Sequence, residues 1–208
     1  LGEMVMEMSS QDRERISAAV QRAEAATSGE IVCVLARRSA DTSALAVLVA
    51  ALLALALPWL LMFFTALPLQ EILGLQLALF VGLAVLLSLP PLAVLLLPPG
   101  MRRAAAHRAA LEQFMLRGMG RTGGRTGVLV FVSLAERYAR IIADEAVAAR
   151  VPQSEWQDAV DALVGHMREG RIADGYVEAV ERCGRVLAAH FPRSDDDRNE
   201  LPDRVYLV

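Results

Sequence analysis

Residues 44–99 read ALAVLVAALLALALPWLLMFFTALPLQEILGLQLALFVGLAVLLSLPPLAVLLLPP, and Glu71 is the one formally charged residue in this stretch. Two apolar segments, 44–64 and 72–97, flank a short linker that contains Pro68. A helix rises about 1.5 Å per residue and the hydrocarbon core of a bilayer is about 30 Å thick, so each segment is long enough to cross. The stretch 44–99 therefore predicts a transmembrane helical hairpin in the middle of the chain.

Positive charge lies on both sides of the hairpin and not in its loop. Arg37 and Arg38 precede the first segment, and the second is followed by Arg102, Arg103, Arg108, Arg117, Arg121 and Arg125. The linker 65–71 contains neither Lys nor Arg. Because cytoplasmic flanks of membrane segments are enriched in Lys and Arg, we expect both long flanks in the cytoplasm and the tip of the hairpin outside.

Composition narrows the class of function. The net charge of −3 argues against nucleic-acid binding. Ser88 is the one polar residue deep in a span, and a transporter normally needs ionisable groups at membrane depth. The two cysteines, Cys33 and Cys183, form no CxxC pair and lie in apolar patterns, which favours buried, reduced thiols. Anchoring in the lipid bilayer, or packing against partner helices, is the better interpretation of the hairpin.

The two flanks together have the pattern of one α/β domain. Residues 30–36 and 127–134 are nearly continuous apolar runs, as in strands buried on both faces. Neither strand can bury both faces alone, so we expect the flanks to fold together. The predicted organisation is a first part of the domain at 1–43, the hairpin at 44–99, a second part at 100–192 and a tail at 193–208.

Further patterns predict the elements around these strands. Apolar periodicity indicates helices at 11–26, 101–117 and 174–190. Residues 137–143 alternate as a third strand, joined to the second through Ala135-Glu136 in a tight hairpin. Ser154 followed by Gln157 has the spacing of a capping box at the start of another amphipathic helix.

These motifs resemble the TPM domain family, and more narrowly its bacterial membrane proteins in which a transmembrane hairpin interrupts the domain. The resemblance covers nearly the whole chain and lies in these segments: Ser28-Gly29-Glu30-Ile31-Val32, Gly127-Val128-Leu129-Val130-Phe131-Val132, Glu136-Arg137, Arg140-Ile141, Gly170, Asp174-Gly175, His190-Phe191-Pro192 and residues 197–204. It implies a small α/β/α sandwich, here interrupted by the hairpin, and a location in the bacterial inner (plasma) membrane.

The resemblance also implies a choice of functions. Some members of the family are described as acid phosphatases, some are associated with bound calcium, and others are non-enzymatic accessory subunits. Bacterial members are often encoded beside LemA-like membrane proteins, which suggests assembly with such a protein. The resemblance therefore leaves an accessory subunit and a metal-dependent phosphatase as the two functions to weigh.

Four carboxylates are the candidate ligands for a calcium ion. Asp41 follows the first strand, Glu136 lies in the predicted hairpin turn, and Asp144 and Glu145 follow the third strand. A hard cation needs several converging oxygens. However, Glu136 stands where the family usually has an aspartate, and residues 143–146 lack the glycine expected there. We therefore favour a non-enzymatic membrane module that contacts other membrane proteins or copies of itself, with a calcium-dependent phosphatase as the alternative.

The predicted orientation has a direct test. A reporter that is active only outside the cytoplasm should be active when fused at Glu71 and inactive when fused at either end of the chain, because the arginines hold both flanks inside. Activity is assayed in intact cells. Cytoplasmic behaviour of the fusion at Glu71 would overturn the orientation.

Overall fold

The computed structural model describes residues 8–40, 42–89, 97–122, 124–194 and 199–208. The chain divides into two compact units. The first, which we call the flank unit, contains residues 1–39 and 106–208, and the second, the hairpin unit, contains residues 40–105.

Helices and strands both occur in the described residues, and three of the described α-helices lie between the first two strands. The described α-helices are α1 (Ser10–Glu24), α2 (Ser43–Phe64), α3 (Leu69–Ser88), α4 (Pro99–Leu116), α5 (Glu145–Ala148), α6 (Gln157–Arg168) and α7 (Ile172–His190), with 3-10 turns at Met119–Arg121 and Gln153–Trp156. The strands are β1 (Glu30–Ala36), β2 (Gly127–Ser133), β3 (Tyr138–Ala143) and β4 (Val205–Leu207).

One mixed sheet forms the centre of the flank unit, with the strand order β3-β2-β1-β4. β1 is parallel to both β2 and β4, and β3 is antiparallel to β2. Every residue of β1 and β2 is buried, as expected for central strands covered on both faces. The predicted pairing of the two flanks is thus made directly by strands that lie on opposite sides of the hairpin in sequence.

Alternate side chains of β1 and β2 enter two separate cores. Ile31 and Cys33 of β1 pack into the larger core with residues of α1, α6 and α7. Val32 and Val34 enter the smaller core with Ala110 of α4. The flank unit is therefore the three-layer α/β/α sandwich that the resemblance implies. Both cysteines are buried and free, as predicted.

The hairpin unit consists mainly of α2 and α3, which contact each other. Their mean hydropathies are 2.6 and 2.1, and only 17% and 6% of the two apolar stretches are buried. The buried residues of α2 are Ala46, Ala50 and Ala54, spaced so that they share one face, while most leucines face outward. Both helices are long and apolar enough to cross a membrane, and their exposed surfaces differ from those of a core helix.

One local prediction is wrong, and the helix of the second span has different bounds from the apolar segment. Ser154 and Gln157 do not form a capping box: Ser154 lies inside a 3-10 turn, α6 begins at Gln157, and no side chain caps it. The second apolar segment is predicted at 72–97. The helix α3 overlaps it but begins earlier, at Leu69, and ends at Ser88. Residues 90–96, with Pro90 and Pro91, lie outside the described residues.

The C-terminal segment is part of the sheet and not a free apolar tail. Val205 is buried, and β4 pairs with β1 so that Val205 lies opposite Cys33 and Leu207 opposite Leu35. Beyond Val205, the apolar side chains of Leu207 and Val208 remain 48% and 45% exposed. The sequence pattern misses β4 because three residues are too few to show a strand period.

The packing of α1 against α7 makes a sharp prediction about Gly184. A Cβ at Gly184 would lie 2.7 Å from the Ala23 Cβ, so Gly184→Ala should lower the free energy of unfolding by about 1–3 kcal/mol through overpacking. Gly165 of α6 has open space around it, so Gly165→Ala should instead stabilise by about 0.5–1 kcal/mol. Denaturant unfolding is followed by Trp156 fluorescence in a Trp59→Phe background. Equal effects of the two substitutions would contradict this packing.

Candidate functional site

The described carboxylates of the predicted calcium site do not lie together in one cluster. Of the four carboxylates, Asp41 lies outside the described residues, and Glu136, Asp144 and Glu145 are described. The described three divide between the two ends of the β2–β3 hairpin.

Glu136 is engaged at one end of that hairpin. It is buried in the turn between β2 and β3, and its two carboxylate oxygens accept from the Ser39 N–H at 3.2 and 3.1 Å. The Ser133 hydroxyl also donates to Glu136, and the Ser39 hydroxyl donates to Ser133 at 2.8 Å. Glu136 therefore ties the end of β2 to the segment that follows β1, which is a structural role for a buried carboxylate.

Asp144 and Glu145 lie together at the other end. Asp144 caps the short helix α5 by accepting from the Glu145 N–H at 2.7 Å, while the Glu145 carboxylate pairs with the Arg125 guanidinium. The second oxygen of Asp144, Oδ2, is shielded from solvent and has no hydrogen-bond partner. One orphaned carboxylate oxygen is far short of the six to eight oxygens that Ca²⁺ takes.

The length of the hairpin separates the two ends. Ser133 lies opposite Tyr138 and Val128 opposite Ala143. At about 3.4 Å per residue, these two pairs lie roughly 17 Å apart along the strands. Within the described residues, no group of three or more His, Cys, Asp or Glu side chains could hold a metal ion. The described residues therefore do not fit a calcium ion shared by Glu136 and Asp144.

A different group of carboxylates, which no local sequence pattern indicates, lies beside the C-terminal segment. The Glu30 carboxylate accepts from the backbone N–H groups of Glu200 at 3.0 Å and Leu201 at 3.3 Å. Glu24 accepts from the Ile31 N–H at 2.7 Å, and its other oxygen is shielded from solvent without a partner. Glu30 and the segment that it holds are about 170 residues apart in sequence, so only the folded sheet brings them together.

Burial makes Glu24 a much weaker acid than an exposed glutamate. It raises the Glu24 pKa to about 9, and the negative charges of Glu30 and Asp203 act in the same direction, against the bond from Ile31. Burial also raises the pKa of Glu30. Glu24 is thus protonated at neutral pH, beside the segment that leads into β4.

A small cavity lies elsewhere in the flank unit, between α4, the edge strand β3 and the segment 148–156. Its polar lining residues are His107, Arg140 and Gln153. None of the three was singled out as a ligand-binding residue from the sequence, because nothing in their spacing shows that they share one cavity.

Comparison with known proteins agrees with this architecture. Residues 93–186 match the family model of the TPM domain. Over these residues the chain is similar to TPM domains. The NMR structure of BA42 protein from the psychrophilic bacterium Bizionia argentinensis sp. nov. has the same fold, with a TM-score of 0.63, 18% sequence identity and 100% coverage of both chains. A search of the curated proteins finds no match.

The raised pKa of Glu24 predicts how the stability of the flank unit depends on pH. Between its ordinary pKa of 4.5 and about 9, the folded state binds a proton that the unfolded state lacks, so stability should fall as pH rises through this window. Glu24→Gln should flatten that decline. The measurement is the denaturant midpoint of Trp156 fluorescence from pH 5 to 9, in the Trp59→Phe background. Glu14→Gln, at an exposed position of the same helix, is the control, and a decline that persists in Glu24→Gln would contradict the assignment.

Proposed function

We propose that this chain is a non-enzymatic, membrane-anchored accessory subunit, whose TPM domain contacts another membrane protein or a second copy of the chain. The observation that carries the proposal is the exposed apolar surface of α2 and α3, two helices inserted between the paired strands β1 and β2. Because the connection between neighbouring strands runs through these helices, membrane insertion would tether the domain at two points.

Two tethers favour a role in assembly. A domain confined at a membrane surface meets other membrane proteins at a raised effective concentration, so a modest contact surface is enough for association. Candidate surfaces are the exposed Leu207 and Val208 of the domain and, on α3, Gly74 and Gly82, where an added Cβ would meet nothing within 4 Å. Small residues of this kind allow close helix packing in a bilayer.

The chemistry of the acids also supports an accessory role. Glu136 holds a turn, Asp144 caps a helix, and Glu145 pairs with Arg125. The proposed location is the bacterial inner membrane with both flanks in the cytoplasm, as the flanking arginines favour. A LemA-like membrane protein is the heterologous partner that the family resemblance suggests.

Association is tested by purifying the full chain from its native membrane in a gentle detergent. Mass photometry should give a particle larger than the monomer, and mass spectrometry should identify either a second membrane protein or this chain alone. Two variants are measured in parallel. Gly82→Ile should disrupt a contact in the membrane, and Leu207→Asp should disrupt a contact on the domain. A monomer with nothing attached would count against the proposal.

The alternative function, a metal-dependent phosphatase, is tested by an assay of phosphate release. We expect the purified chain to release no phosphate from a generic phosphomonoester, with or without calcium, because its described carboxylates are engaged in structural contacts. Calcium should likewise leave the thermal midpoint unchanged. Hydrolysis that is lost in Asp144→Asn, but retained in the exposed-acid control Glu112→Gln, would overturn the non-enzymatic proposal.

A further inference from the structure

The cavity beside β3 has a volume of about 220 Å³ and a mixed lining. Its polar side chains are His107 of α4, Arg140 of β3 and Gln153. The apolar part of its wall includes Leu111, Ile141, Ile142, Val151 and Trp156. This volume is below the roughly 300 Å³ at which pockets for drug-sized molecules begin, so the cavity suits a small ligand.

Arg140 brings an uncompensated positive charge to this cavity. No described side chain gives it a hydrogen bond or an ion pair, whereas Arg15, Arg171 and Arg182 all pair with carboxylates. None of the described residues that line the cavity is Asp or Glu. A partly buried guanidinium without a counter-ion is costly to desolvate, and a bound anion would offset that cost.

His107 adds a second unsatisfied group. Its Nδ1 atom is shielded from solvent and has no hydrogen-bond partner. Burial lowers the pKa of His107, and the charge of Arg140 acts in the same direction. A neutral imidazole and a guanidinium therefore lie near each other, and both can donate hydrogen bonds.

We propose that this cavity binds a small molecule that combines one oxyanion group, a carboxylate or a phosphate, with a compact apolar body. The planar guanidinium of Arg140 matches the two oxygens of such a group. His107 and Gln153 supply further polar contacts, and the accessible side chains of Leu111 and Ile142 receive the apolar body. The proposal does not depend on the assembly role, because it rests on the cavity alone.

The experiment uses the full chain in lipid nanodiscs with labelled isoleucine δ1-methyl groups. The chain has six isoleucines, of which Ile141 and Ile142 line the cavity. Ile16 and Ile31 lie in the large core and report folding, and Ile72, a buried residue of α3, reports any change in the helical hairpin. The probes are benzoate, phenyl phosphate, inorganic phosphate and benzamide, which has the shape of benzoate without its charge.

We expect benzoate or phenyl phosphate to shift the signals of Ile141 and Ile142 without shifting that of Ile72, and the better of the two identifies the oxyanion. Arg140→Gln should weaken this binding at least about tenfold, as loss of a charged hydrogen-bonding group does. Arg108→Gln, an exposed arginine on the same helix as His107 that does not line the cavity, should leave it unchanged.

Other results would overturn the proposal. The proposal fails if benzamide binds as tightly as benzoate, or if inorganic phosphate binds as tightly as phenyl phosphate. It also fails if Arg140→Gln binds the probes undiminished, or if no probe shifts any signal. If the signals of Ile16 and Ile31 show that Arg140→Gln is misfolded, His107→Gln is the second variant. Its binding should also be weaker, and unchanged binding would again contradict the proposal.

Discussion

The parallel pairing of β1 with β2 is the interaction on which the rest of the structure depends. Glu30 lies opposite Gly127 and Ala36 opposite Ser133, so the residues that face each other in this ladder are 97 positions apart in the chain. Both strands are buried along their whole length, and neither has a polar face to leave in water. The two halves of the domain therefore depend on each other, and the helical hairpin between them becomes a connection within one sheet.

The same constraint explains how the buried acids are used. Each lies where the chain enters or leaves the sheet and where backbone N–H groups lack strand partners. Glu136 accepts from Ser39 after β1, and Glu30 accepts from residues 200 and 201 before β4. A carboxylate that satisfies such donors stabilises the edge of the fold. Of the acidic residues that first suggest a metal site, Glu136, Asp144 and Glu145 therefore have structural partners here.

Strands and apolar spans were predictable because their signals are local. The run at 30–36 is uninterrupted enough to indicate a buried strand with the observed bounds, and 44–64 is long enough to indicate a spanning helix. The start of α6 was not predictable, because a 3-10 turn after Pro152 replaces the cap that Ser154 suggests. The site was predicted less well: Asp144 and Glu145 do lie together, but Glu136 lies at the opposite end of the hairpin.

The sequence by itself determined the apolar hairpin, the two buried strands and the match of its motifs to the TPM domain, because length, hydropathy and periodicity are properties of neighbouring residues. Only the tertiary structure decided which side chains share a site. Strand register separated Glu136 from Asp144, added β4 to the sheet, and brought Glu24 close to Glu30 and Asp203. It also placed Arg140 and His107 in one cavity. Such contacts join residues far apart in the chain, and no local pattern records them.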